Sequence, residues 1–130
     1  MKLLLYGYSH ETDIIDQPVT LNQALILIEN QQTLSEEGDN FIGFQFPNQE
    51  NCLQFYRETS IDWVVDLPVY SSDTYQYSKA GKTSSRIVKD IVSHLFNSKS
   101  RLHNSIKSDD YTEVENLLST TWKIKLELVD

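Results

Sequence analysis

The sequence predicts an α+β fold, with a mainly antiparallel sheet of about five strands packed against two or three helices. Three observations point there. Short apolar runs alternate with a period of two at Ile42, Phe44 and Phe46, at Leu53 and Phe55, and at Ile61, Trp63, Val65 and Leu67. Longer runs repeat at helical spacing, from Leu21 to Ile28 and from Ile87 to Phe96. With 130 residues there is room for one core, so residues 1–130 are read as a single domain.

Residues 2–8 open the chain as a strand, with Leu3 and Leu5 on one face and Leu4, Tyr6 and Tyr8 on the other. A polar stretch follows to Pro18. Thr20 with Gln23 has the form of a capping box and starts a helix from about Leu21 to Gln32, whose buried stripe is Leu21, Ala24, Leu25 and Ile28. Thr33 to Asn40 is an exposed turn segment. The three alternating runs form a meander with turns at 47–50 and 57–60, and the outer face of its third strand, Asp62, Val64 and Asp66, is expected to be mostly wet.

Pro68 is expected to end that strand, and Tyr70 to Lys82 reads as a loop or irregular edge strand. Thr83 caps the helix carrying Ile87, Val88, Ile91, Val92, Leu95 and Phe96. Asn97 to Lys107 is a polar connector. Ser108, Asp109 and Asp110 begin a last helix with Tyr111, Val114, Leu117 and Leu118 inward, and Trp122, Ile124, Leu126 and Leu128 alternate in a closing strand.

Charge is unevenly distributed. Residues 1–66 hold two cations against eleven acids, a net −9, whereas residues 67–130 hold nine cations and eight acids, a net +1. An acidic half repels phosphate backbones, which argues against nucleic-acid binding. It reads either as ordinary solvated acidity or as a docking face for a basic partner. The longest apolar runs fall far short of the ~20 residues that a bilayer-spanning helix needs. The apolar stretch after Lys2 is too brief for a signal peptide, so a cytoplasmic protein is expected. Cys52 is the single cysteine, which excludes an internal disulfide and suits a buried small side chain in a reducing compartment.

Catalytic motifs fail one by one. Gly81-Lys82-Thr83-Ser84 resembles the tail of a phosphate-binding loop, but the position that needs its first glycine is Gln76. His10-Glu11 with Asp13 is too small a donor set to fix a metal, and His94 and His103 share no ligand spacing with it. No Gly-x-Ser-x-Gly elbow occurs. Asp62 and Asp66 stand two pleats apart, ~13 Å along a strand, beyond the ~5 to 9.5 Å of glycosidase carboxylate pairs. No enzyme, metal or cofactor is therefore expected.

Recognition features remain. Tyr70, Tyr75 and Tyr77 bring amphipathic rings into a polar segment near Asp62, Asp66 and Asp73, and Glu36, Glu37 and Asp39 extend the acidity. The tyrosines either cover the end of the sheet or form a partner-binding patch that imitates the charge of a basic enzyme's substrate.

From Phe41 to Phe96 the pattern resembles the bacterial immunity proteins of polymorphic toxin systems, particularly the Imm1-like group. It runs through Leu53-Gln54-Phe55 and Trp63-Val64-Val65-Asp66-Leu67-Pro68, then a Tyr- and Ser-bearing segment, to His94-Leu95-Phe96. The resemblance implies a cytoplasmic antidote, active in bacterial competition, that blocks the active site of a cognate secreted toxin, a basic nuclease or deaminase domain. Two alternatives stand beside it. One is a small enzyme with a site in the groove between helices and sheet, where His94 meets carboxylates. The other is a general interaction module, monomeric or homodimeric through a sheet edge.

Overall fold

The computed structural model describes residues 3–8, 15–33, 40–45, 52–57, 63–70 and 75–129. The class is α+β. Among these described residues, seven strands form one antiparallel sheet: β1 (Leu3–Tyr8), β2 (Ile15–Val19), β3 (Asn40–Gln45), β4 (Cys52–Arg57), β5 (Trp63–Tyr70), β6 (Tyr75–Thr83) and β7 (Leu126–Val129), in the order β2-β1-β3-β4-β5-β6-β7. Four described helices accompany it: α1 (Leu21–Thr33), α2 (Ser85–Leu95), α3 (Arg101–Lys107) and α4 (Tyr111–Trp122). The expected sheet of about five strands and two or three helices is thus corrected in both counts.

The extra strands have identifiable causes. Ile15–Val19 carries Asp16, Gln17 and Pro18, a composition that hides a strand, yet it pairs with β1 from Leu3↔Val19 to Gly7↔Ile15. It is an edge strand, where proline's missing donor is tolerated. At the other side, Tyr75–Thr83 is an interior strand between β5 and β7, not a loop or an edge. Strand β5 likewise runs through Pro68 to Tyr70. Among the described residues its ladder with β4 ends at Gln54↔Asp66, while the ladder with β6 continues through Pro68↔Tyr77 to Tyr70↔Tyr75.

Strand parity decides what is buried. Ile42, Phe44, Leu53, Phe55, Trp63, Val65 and Leu67 lie on one face and join Ala24 and Ile28 of α1, the stripe of α2, and residues of α3 and α4 in a single core. Each fully buried large apolar side chain contributes about 1.5–3 kcal/mol, so this face holds the helical layer on the sheet. Phe44 meets Phe55 and Phe96 edge-on, with ring centroids 5.9 and 6.0 Å away. Trp63 donates its indole N–H to Ser85 Oγ at 3.0 Å, which ties β5 to the first turn of α2.

The caps explain where the helices begin. Thr20 and Gln23 close the expected capping box, with Thr20 N–H donating to Gln23 Oε1 at 2.8 Å and Gln23 N–H donating to Thr20 Oγ1 at 3.3 Å. Ser84, not Thr83, caps α2 by accepting from the Ile87 N–H. Asp110 caps α4 by accepting from Glu113 N–H at 3.2 Å. Between these two helices the expected connector contains α3, where Leu102 and Ile106 are buried one turn apart among polar neighbours. His103, 2% exposed, donates from Nδ1 to the Leu95 carbonyl at 2.5 Å and pins α3 to the end of α2. Trp122 is the last residue of α4 rather than the start of a strand. The chain reverses at Lys123 in the left-handed region, φ 60°, before β7 begins at Leu126.

Candidate functional site

Two places deserve comparison, the sheet face nominated by sequence and a polar cluster at the helix junction. On the sheet, Tyr70 is the register partner of Tyr75, Pro68 of Tyr77, and Asp66 of Lys79. Asp66 alternates with buried Val65 and Leu67 along β5 and so lies on the face opposite the core. The register sets Tyr70, Tyr75 and Tyr77 at neighbouring positions of two adjacent strands. Tyr56, half-buried on β4, shares the face of Asp66 as the partner of Val64.

Asp66 corrects the expected wet surface, because it is 6% exposed and Val64 is 1% exposed. Both sit on a strand interior to the sheet, flanked by β4 and β6. Asp66 is thus a buried carboxylate in this fold. Asp62, Asp73, Glu36, Glu37 and Asp39 lie outside the described residues, as do His10, Glu11, Asp13, Phe46, Ile61 and most of the two meander turns.

The fragment like a phosphate-binding loop has a different use. Gly81, Lys82 and Thr83 belong to β6, and Ser84 follows directly as the α2 cap. The register shifts here, with Val64 opposite Lys82 and Asp66 opposite Lys79, so Ala80 and Gly81 together face Val65 as a β-bulge. No loop is left to wrap a phosphate. Among the described residues no group of three or more His, Cys, Asp and Glu side chains could hold a metal. None of the described helices is long and apolar enough to cross a membrane.

The polar cluster joins α2, the turn after it, and α4. Asp90 and His94 are one helical turn apart on α2, and His94 Nε2 lies 4.0 Å from Asp90 Oδ1. Trp122 donates its indole N–H to Asp90 Oδ2 at 2.7 Å, and its ring meets the His94 ring edge-on at 5.2 Å. On the other side of the imidazole, His94 Nδ1 is 3.2 Å from Ser100 Oγ, a hydrogen bond whose direction follows the histidine tautomer. Ser100 occupies the N-cap position of α3, yet its hydroxyl makes no capping bond.

The corner that carries Ser100 is rigidly held. Its N–H donates to the Asn97 carbonyl at 2.9 Å, Lys99 N–H donates to Asn97 Oδ1 at 3.0 Å, and the Asn104 amide donates to the carbonyls of Ser98 and Ser100 at 2.9 Å. Trp122 stands between two concavities. One, about 1040 Å³, runs along α2 past Arg86, Lys89, Asp90 and Ser93 to Leu25 of α1. The other, about 310 Å³, is lined by His94, Asn97, Ser100, Arg101, Leu102, Leu117, Thr121 and Trp122. Arg101 is paired with Glu113, and Lys89 with Glu29 at 2.6 Å.

No family model matches the chain, and neither does any curated protein or solved structure.

Of this cluster only His94 is a candidate in the sequence, and Asp90 is the carboxylate near it, 4.0 Å away on the same helix. Asp90, Ser100 and Trp122 carry no functional signal of their own there. The i, i+4 spacing of Asp90 and His94 on a strongly periodic helix was a usable signal. The approach of Ser100 depends on the turn at 97–100, and that of Trp122 on the packing of α4 against α2.

Proposed function

We propose that this protein is a cytoplasmic inhibitor of the immunity type, which binds a basic toxin domain and blocks its active site through the sheet face opposite the helices. The observation that carries the reading is the register of β5 and β6, which sets Tyr70 opposite Tyr75 and Pro68 opposite Tyr77, with half-buried Tyr56 on the neighbouring β4. Tyrosine rings supply apolar area and a hydroxyl at low entropic cost, the composition of protein-binding hot spots. The net −9 of residues 1–66 adds a field that steers a cationic partner toward the sheet. With Asp66 buried, the tyrosines rather than that carboxylate make the contact. The hydrophobic pattern from Phe41 to Phe96, similar to that of immunity proteins, favours the same reading.

The experiment takes any toxin-like domain found encoded beside the gene, produces it in a catalytically dead form and titrates it against the protein by calorimetry. Tyr75→Ala combined with Tyr77→Ala is expected to weaken binding by at least ~30-fold, the equivalent of one hot spot, with the thermal transition of the free protein retained. Undiminished affinity in that double variant removes this face from consideration. Failure of the wild-type protein to bind or protect against any adjacent toxin removes the inhibitor reading itself.

A further inference from the structure

The polar cluster at the helix junction is separate from the sheet face and has a chemistry of its own. We infer that Ser100, His94 and Asp90 form a nucleophile, base and orienting carboxylate for hydrolysis of small carboxylic esters held in the adjoining 310 Å³ pocket. This inference stands apart from the docking reading and neither needs nor contradicts partner binding.

Four observations carry it. The Ser100 hydroxyl faces His94 Nδ1 at 3.2 Å although its position invites it to cap α3. Asp90 lies on the opposite side of the imidazole with Oδ1 4.0 Å from Nε2, beyond hydrogen-bond distance but near enough to stabilise an imidazolium formed during turnover, and the tautomer protonated at Nε2 presents the Nδ1 lone pair to Ser100. Asp90 is itself held by the Trp122 N–H at 2.7 Å. Finally, Ser100 and His94 both line a pocket whose other walls include Leu102, Leu117 and Trp122, room for a short apolar acyl group. Asn97 lines it too, and with Oδ1 committed to the Lys99 N–H, its amide NH₂ is left to donate to a developing oxyanion.

The reaction balances without a further reagent than water. Ser100 Oγ attacks the ester carbonyl carbon while its proton passes to His94 Nδ1, and Asp90 stabilises the imidazolium so formed. The tetrahedral intermediate collapses, the C–O bond to the alcohol breaks, and His94 returns the proton to the leaving alkoxide. Water then loses a proton to Nδ1 and attacks the acyl carbon, the acyl bond to Ser100 Oγ breaks as His94 returns that proton to Oγ, and the carboxylic acid leaves. Ser100 and His94 are the catalytic residues; Asp90 and Trp122 are positioning residues.

The test treats the whole protein with a fluorophosphonate, which traps activated serines, and follows turnover of 4-nitrophenyl acetate and butyrate. A single phosphonyl adduct on Ser100, located by peptide mass, is expected. Ser100→Ala is expected to abolish the adduct, and Ser100→Ala and His94→Ala each to lower the turnover rate by ~100-fold or more, with an unchanged circular dichroism spectrum. Asp90→Asn is expected to lower kcat with little change in KM and to shift the pH profile, which loss of a merely structural contact does not do. An adduct at another residue, no adduct, or turnover that survives Ser100→Ala overturns the assignment.

Discussion

The indole N–H of Trp122 donates to the Asp90 carboxylate at 2.7 Å, joining the last turn of α4 to the middle of α2 across thirty-two residues of sequence. The acceptor is 59% exposed, so water can replace the donor when it is removed. Trp122→Phe keeps most of the ring and loses the donor. A cost of about 1–2 kcal/mol is expected, most of it from lost packing, and it is read as a fall of ~3–6 °C in the thermal midpoint. Asp90→Asn retains an acceptor and should move the midpoint by less than half as much.

Asp66 separates folding from docking. At 6% exposure, next to the register position of Lys79, it tolerates an isosteric amide far better than an opposite charge. Asp66→Lys is expected to destabilise the protein by about 3 kcal/mol or more, and Asp66→Asn by clearly less, in urea unfolding monitored by tryptophan fluorescence. Equal stability of the lysine variant and the wild type shows that the site is wet after all. A charge reversal here is therefore a poor probe of partner binding.

Phe44 lies at the junction of sheet and helices, wholly buried and edge-on to both Phe55 and Phe96. Phe44→Ala removes the transfer energy of the ring and leaves a cavity that two neighbouring rings cannot fill. The expected loss is about 3–5 kcal/mol, with the urea midpoint lowered and the m-value unchanged.

Lys123 ends α4 with φ 60°, a conformation in which a Cβ costs roughly 1–2 kcal/mol. Its ammonium reaches the Thr120 carbonyl at 3.4 Å, too long to offset much of that. Glycine relieves the strain and adds roughly 0.4–1 kcal/mol of unfolded-state entropy, so Lys123→Gly is expected to stabilise by about 0.5 kcal/mol. A β-branched Lys123→Val should destabilise. Thermal melts of the two variants moving in the same direction contradict this account of the turn.

The sequence by itself determined the α+β class, the meander, the capping box at Thr20, and the buried stripes of α1, α2 and α4. Those features depend on local periodicity and on side chains three or four residues apart. What it obscured were β2, β6 and α3. Each is polar, or carries proline or a bulge, and each is ordered by neighbours that arrive from distant sequence. Only the tertiary structure decided that Asp66 and Val64 are buried, since the place of β5 between β4 and β6 is not written in local hydropathy. Only it brought Trp122 to Asp90 and Ser100 to His94, because those distances are set by how α4 packs on α2 and how tightly the corner at 97–100 turns.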